Sequence, residues 1–334
     1  MALSFFERME DVSVDEWDGV LSRSFRPSPF LSPRFLLPWA EAFAPDRPKR
    51  IARWERKGQV EGFLFLCRRE NTGGWELLGG EQVSDSLGPV VASGQEGTFW
   101  AELLRSAGDL LSEGPLCLPN LVEGSPALSL LPGICRDQGF SFDLAELDRS
   151  PYISLPRTFE DYLGGLGKKE RHELRRKLRR AAEAEPGLSF RVTGTPEELS
   201  RDFPSFVALH RMSTPAKRRF MDDRMERFFR KVAEGFFTAG QLRLAFLRGT
   251  RGDVASAFQI EYDGALLLYN SGYDPGFGGG GMSPGLVLLA RCLEDAIRRG
   301  LREFDFLRGR ERYKYDLGGR DRIVYRAVLG LPVR

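Results

Sequence analysis

The chain is short of the residues that hold metals and form disulfides. Its 334 residues include two histidines, His172 and His210, and four cysteines, Cys67, Cys117, Cys135 and Cys292. No two cysteines form a Cys-x-x-Cys pair, so neither a zinc site nor a disulfide framework is expected, and a reducing cytoplasm fits. No apolar run reaches the ~20 residues that span a bilayer. The N-terminus carries Glu7, Glu10 and Asp11 early and lacks a basic stretch ahead of an apolar core, which argues against a signal peptide. Net charge is only +2, which excludes a molecule that is a polyanion binder by composition, DNA included. Two phosphate-loop spacings are also missing: Gly-x-x-x-x-Gly-Lys-Ser/Thr, and Gly-x-Gly-x-x-Gly after a strand.

What is present is a soluble α/β pattern too long for one hydrophobic core, so two domains are expected. In the first half, helical spacing covers residues 14–25 and 33–43. Strand-like runs follow at 50–54, 60–67 and 75–78. A helix at 99–111, a strand at 116–118, a helix at 127–137 and a strand at 140–144 complete this half. The second half repeats the order. It has a charged helix at 159–183, a strand at 188–192, helices at 196–212 and 222–239, and a meander at 241–248, 254–262 and 265–269. A glycine loop, a helix at 286–299 and strands at 303–307 and 323–329 close the chain. No repeat is visible residue by residue. The order of elements alone predicts two copies of one α/β unit with mixed sheets, 1–150 and 151–334, divided near Asp148-Arg-Ser-Pro151.

The stretch Tyr269-Asn-Ser-Gly-Tyr-Asp-Pro275, then Gly278-Gly-Gly-Gly-Met-Ser-Pro-Gly285, reads as a strand end feeding a glycine loop and a helix start. Ser283 suits a cap, Pro284 the first helical turn, and Gly285 a close backbone approach. Free N–H groups and the helix dipole make such a start an anion site. Read alone, the loop divides evenly between that role and an ordinary capped surface turn. Tyr269, Asn270, Ser271, Tyr273 and Asp274 crowd a strand end, where open α/β sheets bind ligands.

Further candidates flank this stretch. Lys168-Lys-Glu-Arg-His-Glu-Leu-Arg-Arg-Lys-Leu-Arg-Arg180 has a thin apolar seam, Leu174 and Leu178. It reads equally as a solvated helix or as an electropositive wall beside a ligand, with Arg175, Arg176 and Arg179 as its cations. Asp305, mid-strand between Phe304 and Phe306, is either paired with an arginine such as Arg308 or Arg310, or a base with a raised pKa. Tyr313, Lys314 and Tyr315 offer a proton donor or an anion grip. His210 reads first as a hydrogen-bonded structural histidine, and Phe228, Phe229, Phe236 and Phe237 as core.

These residues carry a resemblance. Pro151-Tyr-Ile-Ser-Leu-Pro156, Tyr162-Leu163, the basic helix, His210, Gly240-Gln-Leu-Arg-Leu244, Tyr269-Asn-Ser-Gly-Tyr273, Ser283-Pro-Gly285, Phe304-Asp-Phe-Leu-Arg-Gly309 and Tyr313-Lys314 resemble the acetyltransferase-like domain of CelD-type and Fem-type proteins of the GNAT superfamily. The match runs over about 150–330 and extends to Trp17, Ser28-Pro-Phe30 and Trp39. It implies two tandem GNAT-like domains, the first degenerate and the second carrying the site. Gly278, Gly281 and Gly285 approximate the family's Arg/Gln-x-x-Gly-x-Gly/Ala loop without matching it.

The resemblance implies an N-acyltransferase. Acyl-CoA, acetyl-CoA for example, is the expected donor, held by Tyr269, Asn270, Ser271, Gly281, Ser283, Pro284, Gly285 and Arg308, with no metal. Asp305, Tyr313 and Lys314 are the expected catalytic groups. Tyr273, Asp274, His210 and Arg175 are expected on the acceptor side. The acceptor is a primary amine of a small molecule, a cell-envelope precursor or a polysaccharide-related compound. Two alternatives stand beside this: a Fem-like transferase using aminoacyl-tRNA, and a non-catalytic scaffold in envelope or polysaccharide assembly.

Overall fold

A computed structural model describes residues 2–331 apart from 71, 72, 107 and 281. It divides into two compact units, 1–149 with 322–334, and 150–321. The first unit runs β1 (Ala2–Phe6), α1 (Val14–Ser22), α2 (Pro33–Phe43), β2 (Lys49–Arg56), β3 (Gln59–Arg68), β4 (Trp75–Leu77), β5 (Val90–Val91), α3 (Glu96–Arg105), α4 (Gly108–Ser112), β6 (Leu116–Val122), α5 (Pro126–Gln138) and β7 (Ser141–Arg149). The second runs β8 (Tyr152–Ser154), α6 (Phe159–Gly165), α7 (Lys168–Ala184), β9 (Ser189–Val192), α8 (Pro196–Ser213), α9 (Pro215–Phe220), α10 (Asp223–Thr238), β10 (Leu242–Gly249), β11 (Gly252–Tyr262), β12 (Ala265–Tyr273), α11 (Pro284–Arg298), β13 (Glu303–Asp305) and α12 (Arg312–Asp316). The chain then returns to the first unit as β14 (Ile323–Gly330).

Local chemistry sets the helix boundaries. Ser13, Thr158, Thr195 and Asp222 each accept a hydrogen bond from a backbone N–H three residues on, which starts α1, α6, α8 and α10. The expected helix over 159–183 is two helices. Leu166, at φ −73° and ψ 152°, breaks it, and Gly167 begins α7. In α1, Trp17 stacks on Phe65 of β3 at 4.0 Å, so the apolar stripe of a 3.6-residue period meets the sheet.

The first sheet has the order β1-β2-β3-β4-β6-β14-β7, with β5 beside β3. The last strand corrects the sequence reading, which grouped it with the second half. β14 inserts between β6 and β7, with Val324 opposite Val122 and Ala327 opposite both Leu118 and Leu144. Its apolar residues Val324, Ala327 and Leu329 are fully buried there. A single strand's sequence does not say which sheet edge it will fill.

The second sheet has the order β8-β13-β12-β11-β10-β9 and is covered on both faces. Ala245, Leu247, Ala255 and Ala257 pack under α11, α6 and α7, with Leu289, Leu293 and Ala296 above them. On the other face Phe258 meets Phe206 of α8 and Phe229 of α10, each at 5.5 Å. Full burial of one such Leu or Phe contributes about 1.5–3 kcal/mol. Both units contain one shared arrangement: β4 pairs parallel with β6 across α3, and β12 pairs parallel with β13 across α11. The expected duplication of one α/β unit is therefore present in topology. All four cysteines are buried and free.

Candidate functional site

The candidate site lies where β12 and β13 part. Asp263, at φ 44°, and Gly264, at φ 72°, make the tight turn that sends the apolar run from Ala265 back along β11. β12 pairs parallel with β13 over three positions only, ending at Leu267 opposite Asp305. β12 continues to Tyr273 along β11. β13 ends at Asp305, and Leu307 turns the chain away at φ 58°. The two strands splay, and backbone groups of β12 past Leu267 lose their ladder on that side.

The splay coincides with a bulge. Gln259 faces Leu268 and Phe258 faces Asn270, so Tyr269 is the inserted residue of the bulge. The extra residue re-aims Asn270 and Ser271. The Tyr269 ring stacks on Phe229 at 5.0 Å with planes 13° apart, inside the aromatic layer. Asn270 Oδ1 accepts from Ser271 N at 3.0 Å, and the Asn270 side chain also hydrogen-bonds the His210 imidazole. His210 is buried, and its Nδ1 has no hydrogen-bond partner among the described residues. Burial first, then the Lys217 ammonium, push its pKa down to about 4, so the ring is neutral.

Two lysines that the sequence reading passed over meet this region. Lys217 of α9 donates from Nζ to Ser271 O at 2.5 Å. Burial lowers its pKa to about 8, opposed by the Glu311 carboxylate. Lys177 of α7 donates from Nζ to Ser283 Oγ at 3.0 Å, at the start of α11. In the sequence Lys177 is one cation among many, and Lys217 lies in a short helix, Pro215–Phe220, that carries no motif. Only spatial proximity marks either.

The described part of the glycine loop leads into the start of α11. Asp274 Oδ1 accepts from Gly276 N at 2.8 Å, so its carboxylate shapes the turn. Gly278 is left-handed at φ 70°, and a Cβ there would lie 2.7 Å from Met282 Cε. Gly281 lies outside the described residues. Ser283 stands at the N-cap without a side-chain cap bond, and Pro284 follows. Val287 N is the first to return to the helix, bonding Ser283 O at 3.0 Å. The N–H groups of Gly285 and Leu286 have no intrahelical acceptor at such a start. A Cβ on Gly285 would sit 3.3 Å from the Tyr273 ring, so Gly285 admits that ring against the helix.

The remaining candidates are placed as follows. Asp305 is buried, and its Oδ1 accepts from Leu307 N at 2.8 Å and Ser150 Oγ at 3.3 Å. Tyr313 packs edge-on to Phe306 at 6.3 Å, and burial raises its phenol pKa, with Glu311 adding to the shift, so it keeps its proton. Lys314 is buried, and Nζ donates to the carbonyls of Leu307, Arg308 and Gly309 at 3.0, 2.6 and 3.2 Å and lies 3.0 Å from Glu311. It staples the loop after β13, an organising position. Arg308 is half-buried in that loop. Arg175 is exposed and pairs with Glu160 at 2.7 Å. Two residues apart on a helix, Arg175 and Lys177 point in different directions, and Lys177 is the one that reaches the loop. The basic helix is thus partly compensated, Arg176 by Glu173 at 2.6 Å and Arg179 by Glu183 at 3.7 Å.

No group of three or more His, Cys, Asp or Glu side chains is placed to hold a metal ion among the described residues. Nor is any helix among them long and apolar enough to cross a membrane.

Residues 168–315 match the family model described as acetyltransferase (GNAT) domain, the segment that holds α7, the splay and the loop to Tyr315. FemX has a similar fold over 97% of this chain and 96% of its own, with a TM-score of 0.67 at 11% identity. The C-terminal domain of a lysylphosphatidylglycerol synthetase from Agrobacterium fabrum gives 0.60 at 13% identity, covering 94% and 90%. A tandem GNAT protein from the clavulanic acid biosynthesis pathway gives 0.53 at 15% identity, covering both chains completely. No curated protein sequence matches the chain significantly. Residues 168–315, within the second unit, thus fit an acetyltransferase (GNAT) domain, and the chain as a whole has the fold of a tandem GNAT protein.

Proposed function

We propose that the second unit moves an acyl group from acyl-CoA to the primary amine of a small molecule or cell-envelope precursor. The observation that carries this reading is the Lys177 ammonium held 3.0 Å from Ser283 Oγ, which puts a cation beside the free N–H groups that start α11. Cation, dipole and N–H groups together suit a pyrophosphate. The donor's thioester then extends along β12 into the splay, where the bulge at Tyr269 and the backbone at Asn270 and Ser271 meet it.

The chemistry requires little more. The amine attacks the thioester carbonyl, a C–N bond forms, and the C–S bond breaks. Backbone N–H groups along the splayed strand meet the oxyanion. Tyr313, kept protonated by its surroundings, supplies the proton to the leaving thiolate. Asp305 receives the amine proton through water, and its bond from Leu307 N fixes the carboxylate for that task.

Isothermal calorimetry with CoA and acetyl-CoA tests the reading. Binding is expected, and Lys177→Glu is expected to weaken it by about tenfold or more, consistent with loss of a charge-assisted contact. No heat, and no thermal protection at millimolar ligand, would discard it. An aminoacyl-tRNA donor is the second reading, favoured by Lys168, Lys169 and Arg180, exposed cations of α7 with no ion pair among the described residues. It predicts tRNA binding that falls steeply with salt and is lost on reversing those charges.

A further inference from the structure

The amine of Lys217 sits in the site without a task in the reaction above. α9 is pinned in place: Thr214 Oγ1 accepts from Lys217 N at 3.1 Å, and Pro215 opens the helix. The side chain is half-buried, and its Nζ meets Ser271 O at 2.5 Å, on the stretch of β12 that has left β13. Four residues supply the charge and polarity around it. Glu311, ahead of α12, is the carboxylate acting on it. His210 of α8 is neutral and acts on it only as a dipole. Asn270 bonds that imidazole, and Arg211 is engaged elsewhere, with Glu226 at 3.1 Å and the carbonyl of Met221 at 2.9 Å. The lysine is therefore held in a fixed direction in a poorly solvated corner, beside the backbone where an acyl carbonyl would lie.

We propose that Lys217 is a self-acylation site, its Nζ taking the acyl group of a thioester donor seated in the gap between β12 and β13. The inference rests on the acyl-CoA reading for the donor, and on the geometry of the lysine for the acceptor. In the step, Nζ forms a bond to the thioester carbonyl carbon and the C–S bond breaks. The proton lost from nitrogen goes to the thiolate, giving an amide on Lys217 and free CoA thiol. The amide removes the positive charge and the hydrogen bond to Ser271 O, and fills the gap, so the modified enzyme is closed to a second donor.

The reaction needs a neutral amine. A lysine with pKa about 8 is neutral about one time in ten at pH 7, against about one in three thousand at the ordinary 10.5. Reactivity should therefore rise about tenfold per pH unit up to pH 8 and then level off, while surface lysines continue to gain.

The experiment is peptide mapping by mass spectrometry after incubation of the full chain with acetyl-CoA, and separately with the small acyl donor N-acetoxysuccinimide. The expected result is acetylation at Lys217 ahead of the exposed lysines Lys57, Lys168 and Lys169 with both reagents. Lys217→Arg, which keeps the charge and a donor toward Ser271 O, is expected to lose the label and keep its melting temperature. If the small ester labels Lys217 first and acetyl-CoA labels nothing, the reactive amine stands and the CoA donor fails. If both reagents label the exposed lysines and leave Lys217 unmodified, the proposal is overturned.

Discussion

Gly272 and His210 touch backbone to backbone. A Cβ built on Gly272 would lie 2.3 Å from His210 N and 2.5 Å from the carbonyl carbon of Leu209. This contact lets α8 lie directly on β12, just past the splay, and brings the His210 imidazole to Asn270. Two backbones offer no flexible side chain to yield. Gly272→Ala is expected to cost about 3 kcal/mol, the upper range for overpacking, or to drive α8 off the strand. Thermal melting with circular dichroism reads the first outcome; a melting temperature within a degree of wild type would contradict it.

The position of β14 makes the far C-terminus part of the first unit's stability. Ala327 is fully buried between β6 and β7. Ala327→Asp places an unpaired carboxylate in that interior and is expected to cost about 3 kcal/mol or more. Hydrogen exchange should show the loss as faster exchange in β6 and β7, with β11 and β12 unaffected. Uniform exchange across both sheets would refute this assignment.

His210 gives the chain an acid-sensitive term. Its pKa is about 4 in the folded chain against the ordinary 6.5, so the unfolded chain binds the proton first. The group's contribution is complete above pH 6.5 and is lost as pH falls toward 4. The full span is about 3 kcal/mol by linkage. Denaturant midpoints measured between pH 7 and 4 should fall less in His210→Asn than in wild type. Parallel curves for the two proteins would show that the imidazole does not titrate in this way.

Lys314 is expected to act through the loop it holds. Lys314→Met leaves the carbonyls of Leu307, Arg308 and Gly309 without their donor and Glu311 without its cation. The expected cost is about 2 kcal/mol, since each buried group left unsatisfied is penalised. The test that separates a loop staple from a catalytic group is Lys314→Arg, which should recover most of the stability. Failure of arginine to rescue would assign the ammonium a role beyond the loop.

The elements near the site were legible because their causes are local. The Asp-Gly turn, the Ser-Pro helix start and the 3.6-residue spacing from Leu286 are short-range properties, and α11 forms where they point. The bulge at Tyr269 was not legible, since it depends on register against Phe258 and Gln259. Lys177 was hidden for a different reason. In a run of basic residues, the one that faces the loop is chosen by the rotation of α7 on Leu174 and Ala181, its two buried residues.

By itself the sequence determined most of the longer strands and helices, their repeated order, and the residues that crowd the end of β12; the short elements β1, β5, β8, α9 and α12 carried no signal of their own. These follow from capping, turn chemistry and hydrophobic period, each acting over a few residues. The tertiary structure alone decided three things: that β14 fills the first sheet, that Lys217 reaches Ser271, and that Lys177 rather than Arg175 meets Ser283. Each joins segments more than 50 residues apart, and contacts at that range are set by how packed layers close on each other, which local preference does not encode.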